Sequence, residues 1–389
     1  MSKILWACWD GGGNLPPSLG IGRALRDRGH SVVFAGRPEM VGRVRAAGLG
    51  ARELTQAYAL IDRFAWHPLA RVFGYLGSPA VGDELVSVVR AEAPDVVAID
   101  AMFGAALGAA PQFNAPTAVV VHTFVRRMYD AWKGNLMRQS DGRAQSGFAK
   151  LPPIEELWGA RDLVHANTLA ELDAPPAKTP LANLGHGAPV LLEESRAVMP
   201  RLPWPESDPA PLVLLSFSTV LEQRSPAMLQ RALDALGTLP VHVVATTGDV
   251  VDPADLTAPP NAAVLRYASH DALMPRAALV VTHGGHGTAM RALRHGLPMV
   301  LTPALADDQP FVGAAVQEWG AGRALGKDPA ADEIATAARA VLENPACRDA
   351  AKRLAPLLAD VDGAAAAAAA IERLAPSVKT KARNRTGAR

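Results

Sequence analysis

The sequence predicts an α/β protein made of two Rossmann-like doubly wound domains that face each other across a cleft. Two series of short apolar runs, each followed by a turn and a helical stretch, indicate parallel strands joined by crossover helices. A proline-rich stretch at residues 198–211 separates the series and is typical of a stiff linker. The chain has 389 residues, 49% of them hydrophobic, which suffices for two cores.

Domain boundaries follow from this division. Residues 1–197 are predicted to form an N-terminal domain, and residues 212–362 a C-terminal domain. The alanine-rich stretch 363–376 predicts a helix that docks back on the first domain. The basic tail at residues 377–389 predicts disorder.

Composition argues against several classes of function. The net charge of +1 gives no basic excess for binding nucleic acid or a membrane. Two cysteines far apart in the chain, Cys8 and Cys347, suggest neither a disulfide framework nor a zinc site. No apolar run is long enough to span a membrane, and the N-terminal one is too short for a signal peptide. We therefore expect a cytoplasmic protein of the size of an enzyme. Its expected assembly is a monomer or homodimer.

The first series opens with an apolar strand, a glycine-rich turn, a helix capped by Ser18 and a second strand. The predicted strands of this series cover residues 4–9, 32–35, 96–100, 118–121 and 163–166, with helices at 18–28, up to 92 and at about 103–111. Polar residues follow at the carboxyl ends of the strands, namely Asp10, Asn14, Asp100 and His122. Ligands bind at this edge in open α/β sheets.

Aromatic residues concentrate in two irregular stretches between these strands. One stretch carries Trp66 and His67, and the other carries Phe124, Tyr129 and Trp132. Aromatic side chains in loops above a sheet predict a lipophilic pocket. Packing of an ordinary satellite core is the alternative.

The second series carries the most informative turn of the chain. Its predicted strands cover residues 212–216, 241–245, 263–265, 279–281 and 299–301, with helices near 226–236, 286–295, 309–319, 331–342 and 346–354. The segment at residues 282–288, Thr-His-Gly-Gly-His-Gly-Thr, joins one of these strands to a helix N-terminus. Backbone N–H groups and the helix dipole favour an anion there, and the glycines admit a phosphate. A merely glycine-rich turn with capping histidines is the alternative.

These residues resemble the donor-site motif of UDP-glycosyltransferase-like enzymes, and most of all that of bacterial macrolide and natural-product glycosyltransferases with the GT-B fold. The resemblance runs through residues 266–270, 279–288, 296–300 and 307–310, and more weakly through 25–30, 187–189 and 214–219. It covers nearly the whole chain.

The resemblance implies a role for each matching residue. His283, Gly285, His286, Gly287 and Thr288 would hold the diphosphate of the donor. The base would lie against Tyr267 and Ala268, and a second loop would add Ser218 and Thr219, where the family usually has glycine at position 218. Asp308 and Gln309 would bind the sugar hydroxyls. Such a set stabilises the leaving diphosphate without a cofactor or a metal, since the nucleotide sugar is itself a substrate.

Two departures from the family pattern bear on specificity and chemistry. Arg291 stands where these enzymes usually carry a glutamate that binds the ribose hydroxyls, which favours dTDP over UDP. Arg291 would contact phosphate or face solvent instead. Asn14 stands where the catalytic histidine is expected, with Asp100 at the position of its supporting aspartate. Because an amide cannot take a proton at neutral pH, Asp10, Asp100, His122 or His67 would serve as the base, or the acceptor is acidic enough to need little help.

The resemblance therefore implies an inverting, metal-independent transfer of a hexose or deoxyhexose from a dTDP- or UDP-sugar. The acceptor would be a lipophilic aromatic or polyketide-like molecule in natural-product tailoring. It would bind to the N-terminal domain at the aromatic residues named above, while the C-terminal domain would bind the nucleotide sugar. One alternative is a non-catalytic GT-B auxiliary protein that binds a nucleotide or a partner enzyme, suggested by Asn14. Another is a different enzyme on the same scaffold, such as a sugar-nucleotide epimerase or a lipid-linked glycosyltransferase.

Overall fold

The computed structural model describes residues 1–56, 74–174, 180–192, 198–205, 207–217, 226–249, 251–303 and 308–376. The chain divides into two compact units. Unit 1 comprises Met1–Val190 together with Asp362–Arg389, and unit 2 comprises Leu191–Val361. Each unit is built on its own parallel β-sheet, so the predicted pair of parallel-sheet α/β domains is confirmed.

Unit 1 alternates strands and helices in the described part of the chain. In chain order its elements are β1 (Lys3–Ala7), α1 (Leu15–Asp27), β2 (Ser31–Gly36), α2 (Pro38–Ala46), β3 (Gly50–Glu53), α3 (Pro79–Glu92), β4 (Val96–Asp100), α4 (Gly104–Ala109), β5 (Thr117–Val121), α5 (Tyr129–Gln145), α6 (Ile154–Leu157), β6 (Leu163–Ala166) and β7 (Leu184–His186). The sheet has the strand order β3-β2-β1-β4-β5-β6-β7. The order therefore reverses between β1 and β4, which is the topological switch point of this unit.

Unit 2 repeats the same plan. Its elements are β8 (Leu212–Ser216), α7 (Pro226–Gly237), β9 (His242–Thr246), β10 (Ala262–Leu265), α8 (His270–Leu273), β11 (Ala277–Thr282), α9 (His286–Arg294), β12 (Met299–Leu301), α10 (Gln309–Glu318), β13 (Gly322–Ala324), α11 (Ala331–Glu343) and α12 (Pro345–Ala359). The strand order β10-β9-β8-β11-β12-β13 places the switch point between β8 and β11.

The last described helix, α13 (Gly363–Glu372), belongs to unit 1. Its side chains Ala367, Ala368 and Ile371 are buried in the same core as Trp6 of β1, which stacks on Phe34 of β2 with the ring centroids 5.4 Å apart. At the end of α13, Glu372 pairs with Arg28 and lies 3.1 Å from His30 Nε2. Burial of apolar side chains is the main term that stabilises this packing.

The proline-rich segment packs within unit 2. The indole of Trp204 stacks on the ring of His242 at the start of β9, with the centroids 4.2 Å apart. Asp208 Oδ1 lies 3.2 Å from His242 Nε2. This part of the predicted linker is therefore attached to the second sheet by an aromatic and an ionic contact.

Several predicted elements differ from the structure. Ser18 does not cap the first helix, because α1 begins three residues earlier and Asn14 is its N-cap. The stretch with Tyr129 and Trp132 is not irregular, because both lie on the 17-residue helix α5. The short strands β3, β7 and β13 and the helix α2 were not predicted.

Residues 66 and 67, 218 and 219, and the tail 377–389 lie outside the described residues, so the roles predicted for them stay predictions.

Within the described part, no single helix is long and apolar enough to cross a membrane. Only the bent pair α12 and α13, taken together, satisfies that test of length and composition.

Candidate active site

Both sheets bring polar residues to their carboxyl edge at the switch point. In unit 1, Asp10 and Asn14 follow β1 while Asp100 ends β4, and β1 and β4 are hydrogen-bonded neighbours. In unit 2, Ser216 ends β8 and His283 follows β11, again on neighbouring strands. The crevice at a switch point is the usual ligand site of an open α/β sheet. Each unit therefore contains a candidate site of its own.

The side chains of Asn14 and Asp100 are in direct contact. Asn14 Nδ2 donates to Asp100 Oδ2 at 2.8 Å and to the backbone carbonyl of Trp9 at 2.7 Å. Asn14 Oδ1 accepts from the backbone N–H of Gly11 at 2.8 Å. Because one end of the amide faces two acceptors and the other faces a donor, its orientation is fixed. Asn14 is thus a hydrogen-bond donor to Asp100 and no proton acceptor.

Asp100 is the most perturbed carboxylate of this site. Its Oδ1 accepts from Trp9 Nε1 at 3.1 Å and from the backbone N–H of Met102 at 3.0 Å. Burial raises the pKa of Asp100 from 3.8 to about 6, against the hydrogen bonds from Asn14, Met102 and Trp9, which lower the pKa. Perturbed carboxylates of this kind are concentrated at functional sites.

His122 lies beside Asp100 with both ring nitrogens engaged. Its Nε2 is 2.9 Å from Ser18 Oγ and 4.0 Å from Asp100 Oδ2. Its Nδ1 is 2.7 Å from Asn167 Nδ2. Ser18 and Asn167 were not predicted as site residues. The sheet register pairs Val121 with Ala166, and therefore predicts that the residues following them, His122 and Asn167, meet at the same edge.

Asp10 is held away from proton transfer by its neighbours. Its Oδ2 pairs with Arg43 Nη1 at 2.6 Å, and its Oδ1 accepts from the backbone N–H of Gly12 at 3.0 Å. Its backbone carbonyl accepts from Arg37 Nη2 at 3.1 Å. The contacts of Asp10 are those of a turn-forming, ion-paired aspartate.

The three described aromatic residues predicted to bind the acceptor are all buried. Phe124 is inaccessible to solvent, and Trp132 Nε1 donates to its backbone carbonyl at 2.9 Å. Trp132 packs on Trp158 with the centroids 5.3 Å apart, and the hydroxyl of Tyr129 donates to Glu155 at 3.2 Å. These contacts describe a packed core beside the site, which is the alternative that the sequence left open.

A buried carboxylate fixes the loop that leads into α5. Asp173 has no exposed surface and accepts from the backbone N–H groups of Val125, Arg126 and Arg127 at 3.0–3.2 Å. His186 Nε2 lies 2.9 Å from its Oδ2. Asp173 therefore joins the end of β7 to the loop that follows His122.

The candidate phosphate turn of unit 2 depends on two glycines. Gly284 has φ +90°, a conformation that favours glycine, and a Cβ there would come 3.2 Å from the backbone oxygen of Gln309. A Cβ on Gly285 would lie 2.7 Å from His283 Nε2. The turn therefore packs tightly against both the histidine and the start of α10, where Asp308 and Gln309 stand.

His283 is a neutral hydrogen-bonding group in this turn. Burial lowers the pKa of His283 to about 4, although a hydrogen bond with the backbone of Ser216 opposes this change. A neutral imidazole has a single N–H, and the hydrogen bond with the backbone of Ser216 engages it, so His283 shapes the turn. The turn continues into α9, which begins at His286, and Gly287 next to it has open space around its missing side chain. Thr288 lies in the same first turn of the helix.

A polar chain links the ends of three neighbouring elements beside this turn. Thr246 Oγ1 donates to Ser216 Oγ at 2.9 Å and lies 3.3 Å from His270 Nε2. Ser269 caps α8 by accepting from the backbone N–H of Ala272. Just before it, Tyr267 is 69% exposed while Ala268 is buried, so the tyrosine ring is accessible for stacking.

The guanidinium of Arg291 neither faces solvent nor is available to bind a phosphate. Its guanidinium forms an ion pair with Asp271 of α8, and its Nη2 donates to the backbone carbonyl of Leu192 at 2.7 Å. The two expectations for this residue were therefore wrong. The sequence could not show that a carboxylate from another helix meets it.

Two alanine substitutions distinguish glycines that the conformation of the turn requires from glycines that nucleotide binding requires. We expect Gly284→Ala to destabilise unit 2 by about 1–2 kcal/mol, because a side chain at positive φ is strained. We expect Gly287→Ala to unfold at the same or higher urea concentration, since its Cβ meets nothing within 4 Å. If the open space is where a diphosphate lies, the same variant binds nucleotide more weakly. Urea unfolding and nucleotide titration of both variants measure this, and unchanged binding by Gly287→Ala would contradict the assignment.

Comparisons with known proteins agree with this geometry. Residues 230–367 match the family model described as Erythromycin biosynthesis protein CIII-like, C-terminal domain. The 4'-demethylrebeccamycin synthase of Lentzea aerocolonigenes is 37% identical over 153 residues, which are 39% of this chain and 35% of that protein. The O-mycaminosyltylonolide 6-deoxyallosyltransferase of Streptomyces fradiae is 26% identical over 95% of this chain and 96% of its own.

A solved structure shows the same fold. The crystal structure of the glycosyltransferase VinC in complex with dTDP superposes with a TM-score of 0.70 at 22% identity, covering 96% of this chain and 99% of that one. The chain is thus similar to natural-product glycosyltransferases, and its fold is the GT-B fold.

Proposed function

We propose that this protein transfers a hexose or deoxyhexose from a dTDP- or UDP-sugar to a lipophilic small-molecule acceptor, with inversion at the anomeric carbon and without a metal. The observation that carries this proposal is the turn at residues 282–288, placed at the switch point of unit 2 within the matched family region. The helix N-terminus and the glycine turn, which packs against His283, together suit a diphosphate.

The nucleotide part of the donor fits the residues around the turn. Tyr267 is exposed for stacking on a base, and Asp308 with Gln309 lies beside Gly284, where a sugar would follow the diphosphate. Arg291 is paired with Asp271 and supplies no carboxylate of its own for ribose hydroxyls. This supports a nucleotide that lacks the 2′ hydroxyl, so dTDP is preferred to UDP. The glycosyltransferase VinC, crystallised with dTDP, supports the same choice by analogy.

The class of acceptor is proposed by analogy with two relatives, and its place from the position of Asp100. The two curated relatives are named for a tylonolide and a rebeccamycin, so a large natural-product aglycone is the proposed class of acceptor. The switch point of unit 1 is its proposed place, because the only strongly perturbed carboxylate among the described residues of that edge is Asp100.

Asp100 is the proposed proton acceptor. Its Oδ1 takes two hydrogen bonds and Oδ2 takes one, from Asn14, so Oδ2 retains room for a further donor. In the reaction the acceptor oxygen bonds to the anomeric carbon while the bond from that carbon to the diphosphate breaks. The diphosphate leaves with the electron pair, and the acceptor's proton passes to Asp100 Oδ2. Burial makes this carboxylate a stronger base than an exposed aspartate.

The direct test is thermal unfolding with UDP, dTDP, ADP and GDP on the wild type and on His283→Ala. A nucleotide at about 100 times its Kd adds ~2.7 kcal/mol of stability, which raises the Tm by several degrees. We expect the largest rise with dTDP, and we expect His283→Ala to reduce it. His295→Ala is a matched control, since His295 lies at the other end of α9.

The same experiment separates the alternatives. If no nucleotide raises the Tm of the wild type, the donor site is wrong. If dTDP binds but no sugar is transferred to any acceptor tried, the protein is a nucleotide-binding auxiliary, as the fixed Asn14 amide would allow.

A further inference from the structure

We propose that Asn167 is a positioning residue of the transfer reaction: it holds His122 with Nε2–H directed toward Ser18 and Asp100, and so prepares the Asp100 carboxylate to take the acceptor's proton. The proposal rests on the proposed function, in which Asp100 receives that proton. Asn167 lies just after β6, is 1% exposed, and matches none of the motifs found in the sequence.

Two independent contacts assign the same tautomer to His122. Asn167 Nδ2 lies 2.7 Å from Nδ1, and an amide N–H there requires Nδ1 to be the acceptor. On the other side, Ser18 Oγ donates to the backbone carbonyl of Asn14 at 2.8 Å. A hydroxyl has a single hydrogen, so its oxygen faces His122 Nε2 at 2.9 Å with a lone pair and requires Nε2–H.

In this tautomer the N–H dipole at His122 Nε2 faces the carboxylate of Asp100 and favours its ionised form. Nε2 lies 4.0 Å from Asp100 Oδ2, too far for a hydrogen bond but close enough for its N–H to stabilise the ionised form. With the proton on Nδ1 instead, a lone pair would face the carboxylate and disfavour its charge. Asn167 thus acts on Asp100 through the ring of His122, as second partners do when they fix the orientation of a histidine.

The described groups that face His122 come from several elements. Asp100 approaches from β4, Ser18 from α1 and Asn167 from the end of β6. Cys8, which follows β1, contacts Ser18 through its thiol at 3.9 Å, and burial raises the pKa of this thiol well above its usual value. Cys8 therefore stays neutral, and Asp100 is the charge that the tautomer controls.

The decisive variant is Asn167→Leu, which keeps the size of the side chain and removes its donor. Its matched control is Asn183→Leu. Asn183 is a partly buried asparagine that donates to the backbone carbonyls of Trp158 and Arg161, but it precedes β7 at the opposite edge of the sheet. A purely structural role predicts a similar loss of Tm in both variants and nothing more.

Two readouts separate the proposal from that structural role. In nitrogen-15 spectra of histidine-labelled protein, we expect His122 to show the Nε2–H tautomer in the wild type and in Asn183→Leu, and a mixture in Asn167→Leu. In the pH dependence of kcat, we expect the acid limb of Asn167→Leu to move up by about half to one pH unit, with activity recovering at high pH. Asn183→Leu should leave the limb in place.

A double-mutant cycle with His122→Leu completes the test. If Asn167 acts through His122, adding Asn167→Leu to His122→Leu causes no further shift of the acid limb. An additive shift, or an unchanged tautomer in Asn167→Leu, would overturn the proposal. The spectra need no turnover, so if transfer is never observed, the proposed function fails while the assignment of the tautomer is still decided.

Discussion

Replacing Asp100 by asparagine is expected to slow glycosyl transfer by about 10²–10⁴-fold, the usual contribution of a general base. The amide of the variant cannot take a proton, although it occupies the same volume beside Asn14 and Trp9. Steady-state kinetics with a saturating donor measure the loss. Asp10→Asn is the matched control, because Asp10 lies at the same edge but is paired with Arg43. Equal effects of the two substitutions would contradict the assignment of the base.

The pH dependence follows from the raised pKa of Asp100. The carboxylate is active when ionised, so kcat should fall as the pH drops through about 6 and level off above it. Stability should change in the opposite direction. Because the folded pKa of about 6 exceeds the ordinary 3.8, the folded state binds this proton more tightly than the unfolded state.

The resulting contribution to stability is present below the unfolded pKa and is lost as the pH rises through the folded one. Relative to Asp100→Asn, the wild type should lose about 3 kcal/mol of unfolding free energy between about pH 4 and pH 7. Urea unfolding of both proteins across this range measures the difference, and equal pH dependence would contradict the burial of a charged Asp100.

Replacing Asp173 by alanine is expected to cost unit 1 about 3–5 kcal/mol, the range for breaking a buried charged network. The substitution removes the fully buried acceptor of three backbone N–H groups, which is also the partner of His186. An unpaired donor that stays buried carries its full cost of desolvation. Asp173→Asn should cost less, since one oxygen remains as an acceptor.

Denaturant unfolding of the two Asp173 variants measures their stability, with Asp162→Ala as a control. Asp162 is an exposed aspartate of the same unit that accepts from the backbone N–H of Thr117. A loss for Asp173→Ala no larger than that of the control would show that the loop before α5 has other support. The variant should also weaken acceptor binding if this loop borders the acceptor.

Much of the fold was predictable because most of the strands are short, continuous apolar runs. β4, β6, β8 and β12 occur at the predicted residues, since strands buried on both faces leave this pattern in a sequence. The edge strand β13 was not predicted, because Gly322–Ala324 has only three residues and no apolar run.

The helix α5 was not predicted for a different reason. Its buried positions include Asn135, Gln139 and Ser140, so no apolar stripe marks its inner face. Gln139 is buried because it bonds to the backbone of Met102 and Gly104, in the turn after Asp100. Contacts between residues so far apart in the chain leave no local signal.

The sequence predicted which residues meet at the candidate site better than it predicted their hydrogen-bond partners and charge states. Polar residues at strand ends predicted that Asn14, Asp100 and His122 would meet, and strand register brings them together. The state of each group depends on partners from other elements, such as Arg43 on Asp10 and Asn167 on His122. These partners decide which group can take a proton, and no motif contains them.

The position of α13 sets the order in which the chain can complete its parts during synthesis. Unit 2 is one continuous segment, Leu191–Val361, whereas unit 1 needs both ends of the chain. The core of unit 1 holds Ala367, Ala368 and Ile371 beside side chains of α1. On the ribosome, the part of unit 1 before Leu191 must therefore wait for α13, which is translated after unit 2, and apolar surface of α1 is uncovered meanwhile. Unit 2 can reach its final state earlier, although it is translated later.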